Sequence, residues 1–150
     1  MAGVHHDIRR DLAGQPFLDL VAGLAKAEEE GLTTGTVAEV SEWADLIMIL
    51  APDQNQRSLY AEEIEPNLTE GKTLAFAHGF NIRFGYITPP EGVDVILVAP
   101  KAPGHTVRRE YETGRGIPDI IAVEKDASGS AWETAKSYAK AVGGTRAGVI

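Results

Sequence analysis

Residues 44–56 read ADLIMILAPDQNQ. The first part, ADLIMIL (44–50), is short and aliphatic on both sides of its alternation, the pattern of a strand buried on both faces. Pro52 and the polar residues after it stop the run abruptly, and Gln54 to Glu63 then reads as a helix with Pro66 beyond it. A buried strand that leads through a proline into a helix is one unit of an α/β sheet.

The same punctuation recurs downstream. TLAFAHG (73–79), VDVILVA (93–99) and PDIIAVE (118–124) read as further strands. Thr106 to Gly114 looks helical. Ser128 is placed to cap a last helix, in which Ala131, Ala135, Tyr138, Ala139 and Val142 share a face. Upstream, Phe17, Leu20, Val21 and Leu24 fall at i, i+3, i+4 and i+7, which predicts an amphipathic helix over 16–30 ending at Gly31. Thr36 with Glu39 forms a capping-box signal for a short helix ending near Trp43. Met1 to Gly14 (MAGVHHDIRRDLAG) lacks periodicity, so 1–15 is expected to be a loose arm and 16–150 one α/β domain with a mostly parallel sheet.

Composition narrows the function. A chain of 150 residues with 43% hydrophobic and 24% charged residues is globular and long enough for a real core. No apolar run approaches a membrane span and no signal-peptide core opens the chain, so a cytoplasmic protein is expected. Zero cysteines exclude disulfides, thiolate zinc and a cysteine nucleophile. A net charge of −8 opposes nucleic-acid binding, although it allows a local basic pocket for a small anion.

In parallel α/β sheets ligands bind at the carboxyl ends of the strands. Those ends are Ala51 to Gln56, His78 to Phe80 and Pro100 to His105. Asp53 is a natural N-cap, and the helix start it opens can also receive a phosphate or ribose. His78 can exchange a proton near neutrality or be satisfied by a backbone carbonyl. Lys101, between two prolines, can hold an anion or polarise a carbonyl, or be a solvated loop lysine. Gly104 serves a turn or close ligand approach. Arg108, Arg109 and Glu110 read as a solvated helix face before a phosphate clamp. The adjacent His5 and His6, and the acidic run Glu28 to Glu30, carry no metal-site pattern. The Gly114-Arg-Gly116 pair lies between a helix and a strand, the wrong context for a dinucleotide turn.

From about Ala25 to Ile150 the chain resembles the N-terminal, NADPH-binding domain of ketol-acid reductoisomerase. AKAEEEGL (25–32), ADLIMILAPD (44–53), IEPNL (64–68), LAFAHGFNI (74–82), VAPKAPGHTVRREY (98–111) and GGTRAGVI (143–150) carry the likeness, in the family's order and spacing. The resemblance implies a Rossmann-like fold and an oxidoreductase of branched-chain amino-acid (valine, leucine, isoleucine) biosynthesis. Its substrate class is a 2-hydroxy-2-alkyl-3-oxo acid such as 2-acetolactate. An alkyl migration is followed by NADPH reduction to 2,3-dihydroxyisovalerate, assisted by magnesium. It further implies His78 and Lys101 as catalytic residues, Asp53, Gln54, Asn55 and Gln56 as a cofactor-contacting segment, and Gly104 as a backbone cofactor contact.

The departures are as informative. Ala102 stands where the family usually has glycine. The family's opening strand and Gly-Tyr-Gly-Ser-Gln-Gly turn have no counterpart in residues 1–24, so the sheet is expected to be truncated at its first βα unit. The helical domain with the acidic magnesium ligands does not follow, so no metal ligand is expected here. These departures predict a chain without turnover of its own. The alternatives are a non-catalytic remnant or engineered deletion that folds and binds cofactor weakly or not at all, and a module for another phosphorylated ligand. Small-molecule partners are expected, without nucleic acid or membrane, and a homodimer is left open.

Overall fold

The computed structural model describes residues 2–3 and 25–150. The predicted arm over 1–15, apart from residues 2 and 3, and the start of the helix over 16–30 lie outside the described residues.

Each helix end has a local cause. Helix α1, described over 25–29, stops at Gly31, whose φ is +76°. There the Leu32 N–H donates to Ala27 O and the Gly31 N–H to Glu28 O, both at 2.9 Å. This paired closure needs a left-handed residue, which glycine supplies without a Cβ clash. Helix α2 (Val37–Trp43) opens on the predicted capping box: Thr36 Oγ1 accepts the Glu39 N–H at 3.2 Å, and the Glu39 carboxylate accepts the Thr36 N–H at 2.9 Å. At its other end Lys72 Nζ donates to Ser41 O (2.6 Å) and Glu42 O (2.8 Å), which places a cation on orphan carbonyls.

Strand β2 (Leu46–Ile49) leads into α3 (Asp53–Leu59), which widens into a π-helical turn (Tyr60–Ile64) and tightens into a 3-10 turn (Glu65–Asn67). Pro66 explains the change. Its ring and missing N–H prohibit a further α-helical turn, and the Glu65 N–H reaches back five residues to Tyr60 O. The order continues with β3 (Thr73–Phe76), the single turn α4 (Phe80–Arg83), β4 (Asp94–Pro100), α5 (Gly104–Glu112), β5 (Asp119–Lys125) and α6 (Ala131–Ala141).

The sheet has five strands in the order β1-β2-β3-β4-β5, where β1 is Ala2–Gly3. Strands β1 to β4 are parallel and β5 is antiparallel to β4. This is the expected Rossmann-like architecture of a mostly parallel sheet with flanking helices. Alternation sends Ile47, Ile49, Leu74, Phe76 and Val95 to one face, beneath α2 and the α3 region, and Met48, Ala75, Ile96 and Val98 to the other. Ala131, Ala135 and Ala139 of α6 cover that second face, each fully buried, on the predicted stripe. Their small side chains let the helix lie close to the strands. Burying each large aliphatic side chain contributes roughly 1.5–3 kcal/mol.

Two capping expectations are corrected. The N-cap of α3 is Pro52, and Asp53 is the first helical residue and makes no capping bond. The carboxylate is drawn away by a tertiary partner, described below. Ser128 does not cap α6 either. Its N–H and Oγ donate to the buried Asp94 at 2.9 and 2.6 Å, while Asp126 Oδ1 accepts the Ala131 N–H at 3.0 Å. A buried carboxylate needs donors more than a helix end open to water needs an acceptor.

Candidate functional site

The carboxyl ends of β2, β3 and β4 lie side by side, and the segments leaving them carry the predicted site residues. Asp53 and His78 are brought together: Asp53 Oδ2 lies 3.0 Å from His78 Nδ1. The opposite ring nitrogen, Nε2, has no partner among the described residues, and the His78 side chain is 68% exposed. Gln54 is exposed and Asn55 half-buried on the same turn.

Gln56 behaves differently. It is 3% exposed, and its Nε2 donates to Ala51 O at 2.7 Å and to Asp53 Oδ1 at 3.3 Å. Its Oε1 accepts from Asn81 Nδ2 at 2.9 Å, and the same nitrogen donates to Asp53 O at 3.0 Å. Asn81, at 2% exposure, was not singled out by the sequence. The signal available was only an asparagine one helical turn's start beyond the glycine of HGFN.

The next strand end carries Lys101 and Gly104. The Lys101 N–H donates to Pro118 O at 2.9 Å, which fixes the loop, while its ammonium makes no hydrogen bond or ion pair among the described residues. Gly104 begins α5, and its N–H and that of His105 are helix-start donors without a helical acceptor. A cavity of about 570 Å³ spans these strand ends. Leu50, Ala77, Pro100, Ala102, Gly104 and Tyr111 are among its lining residues, so it is largely apolar, and of the predicted site residues only Gly104 lines it. Arg108 pairs with Glu112 at 2.6 Å and Arg109 with Glu110 at 3.3 Å, as a solvated helix face would.

Two glycines separate from all the others described. At Gly79 and Gly104 an added Cβ would meet nothing within 4 Å, and neither residue has a positive φ. Every other glycine from Gly31 to Gly148 is either held at positive φ or has a neighbour within 3.3 Å of that Cβ position. At these two strand ends the space beside the glycine backbone is open.

Exposed aromatic rings flank the same edge. Phe80 lies 4.9 Å from Phe84 and 5.7 Å from Tyr86 between ring centroids. Among the described residues no group of three or more His, Asp or Glu side chains could hold a metal ion, and no helix is long and apolar enough to cross a membrane.

The family described as acetohydroxy acid isomeroreductase, NADPH-binding domain, matches residues 19–148. The chain is 77% identical over 127 residues to the ketol-acid reductoisomerase (NADP(+)) of Pseudarthrobacter chlorophenolicus, covering 85% of this chain and 37% of that protein. It is 73% identical over 129 residues to the enzyme of that name from an Arthrobacter species, covering 86% of this chain and 38% of the relative. The chain thus spans less than two-fifths of the length of these relatives. Among solved structures, an NADH-preferring ketol-acid reductoisomerase from an uncultured archean superposes with a TM-score of 0.82 at 45% identity, over 84% of this chain and 38% of that one. A semialdehyde dehydrogenase NAD-binding protein from Cupriavidus necator, 16% identical with a TM-score of 0.65 over 83% of this chain and 48% of its own, shares the fold alone. The chain belongs to the acetohydroxy acid isomeroreductase family, to its NADPH-binding domain.

Proposed function

We propose that the three strand ends form the cofactor- and substrate-facing wall of a ketol-acid reductoisomerase domain. The observation that carries this reading is the pair of glycines at 79 and 104, where an added Cβ would meet nothing within 4 Å although neither has a positive φ. Asp53, Gln54 and Asn55 would line the cofactor from the β2–α3 turn, with Gln56 beneath them, and Gly104 would admit it to the start of α5. The residues present fit NADPH in this part: open glycine backbone, two free helix-start N–H groups and an apolar cavity. When bound, NADPH supplies hydride to a carbonyl carbon.

His78 holds or moves a proton at a substrate oxygen through its free Nε2, and Lys101 steadies a carboxylate or carbonyl oxygen of a 2-hydroxy-2-alkyl-3-oxo acid. The described residues do not fit a magnesium site, so no step is assigned to the metal. Because alignment of donor, substrate and metal is what such chemistry requires, the 150-residue polypeptide alone is expected to give no turnover.

Titration with NADPH, followed by fluorescence or calorimetry, tests the assignment. Saturable binding is expected. Gly104→Val should weaken it by about tenfold or more, and His78→Ala by less than about twofold, with both variants melting near the parent. Silence to millimolar NADPH would leave a domain that folds without a working cofactor site. Equal losses in the two variants would overturn the separate roles.

A further inference from the structure

We propose that Gln56 and Asn81 are positioning residues, whose buried amides fix the Asp53 carboxylate so that His78 is held as the Nδ1–H tautomer with its Nε2 lone pair turned to the site. This deepens the reading above and rests on it for its functional meaning.

The argument begins at the two ends of the amide chain. Backbone carbonyls only accept hydrogen bonds. Asp53 O lies 3.0 Å from Asn81 Nδ2, so the Asn81 amide must point its nitrogen there. Ala51 O lies 2.7 Å from Gln56 Nε2, so Gln56 must do the same. Both amide orientations are thereby determined by their partners, with no alternative flip. The remaining contacts follow: Asn81 gives its second hydrogen to Gln56 Oε1 at 2.9 Å, and Gln56 gives its second to Asp53 Oδ1 at 3.3 Å.

One carboxylate oxygen is now occupied from beneath, and the other, Oδ2, meets His78 Nδ1 at 3.0 Å. An ionised carboxylate only accepts, so in neutral His78 the proton sits on Nδ1 and Nε2 carries the lone pair. A proton acceptor facing substrate needs that tautomer. The amides are 3% and 2% exposed, so water cannot readily replace either one. Simple packing at these positions would be met by leucine or methionine. The polar pair ties the β2–α3 turn to α4 and so sets the geometry between Asp53 and the strand end that carries His78.

The tautomer is read from long-range ¹H–¹⁵N spectra of the histidine rings above neutral pH. The chain has four histidines, and His78→Gln identifies the signals of His78 by their disappearance. The parent should show His78 mainly as Nδ1–H. Gln56→Met, which keeps the volume and removes both donors, should shift it toward the Nε2–H form that a free imidazole favours. Asp53→Asn, at a partly exposed position, should shift it further. A role confined to packing would lower the melting temperature of Gln56→Met and leave the tautomer unchanged, which would overturn the proposal. An Nε2–H ring in the parent would overturn it without any variant, so a failure of Gln56→Met to fold does not protect it. The NADPH titration fails independently: loss of cofactor binding would sink the site assignment while leaving the tautomer result standing.

Discussion

Gly116→Ala should melt roughly 6–12 °C below the parent, the consequence of losing about 3 kcal/mol in a domain of this size. A Cβ at Gly116 would overlap the backbone carbonyl oxygen of Gly143 and approach Gly143 C and Arg146 Cβ at 3.1 Å. A backbone carbonyl cannot rotate aside as a side chain can. The contact is also where the loop after α5 meets the end of α6. Arg146 Nη1 donates to Tyr111 O and Arg115 O at 3.1 and 3.2 Å, and its guanidinium lies 4.6 Å from the Tyr111 ring centroid. Forcing the loop outward strains this whole junction and loosens the anchorage of α5, whose first residue is Gly104. A melting temperature within about 2 °C of the parent would show that the junction yields freely.

Gly144→Ala should cost about 2 kcal/mol, and the cost should fall when Asp119 is removed as well. The added Cβ would overlap Asp119 Oδ2 and lie 2.6 Å from its Cγ. Asp119 is 1% exposed and neither carboxylate oxygen has a hydrogen-bond partner among the described residues. Burial pushes its carboxyl above the ordinary range, against a smaller opposing pull from Lys101. The folded chain therefore holds this proton more tightly than the unfolded chain does. That contribution to stability is complete below the unfolded value of about 3.9 and is lost as pH rises through the raised folded value. Urea unfolding from pH 4 to 8 should show Asp119→Ala gaining on the parent as pH rises. Parallel pH profiles would contradict the burial cost, and undiminished loss for Gly144→Ala in the Asp119→Ala background would contradict the clash.

These two glycines show what the sequence withholds. Gly114-Arg-Gly116 could be dismissed as a dinucleotide turn from its context, yet nothing nearby in sequence says that Gly116 faces Gly143. The strands were legible because buried parallel strands are runs of aliphatic residues, and LIMI and TLAF are such runs. Helix α4 was not, because a four-residue turn is too short to display a period. Ser128 misled for a different reason: the demand of buried Asp94 decides its partner. Asp53 was legible as a strand-end residue, but its contact with His78 was not, since His78 lies on another strand end. Gln56 carried the likeness to a cofactor segment, while its buried amide faces inward and supports Asp53. Pairings between strand ends are set by the sheet, and no local pattern records them.

The central claim is that the ends of β2, β3 and β4 form one cofactor-facing wall. A ¹H–¹⁵N amide spectrum of the chain titrated with NADPH tests it most directly. The account predicts saturable shifts gathered at 53–56, at His78 and Gly79, and from Lys101 to His105. Shifts confined to other regions, or an unchanged spectrum at millimolar NADPH, would contradict it.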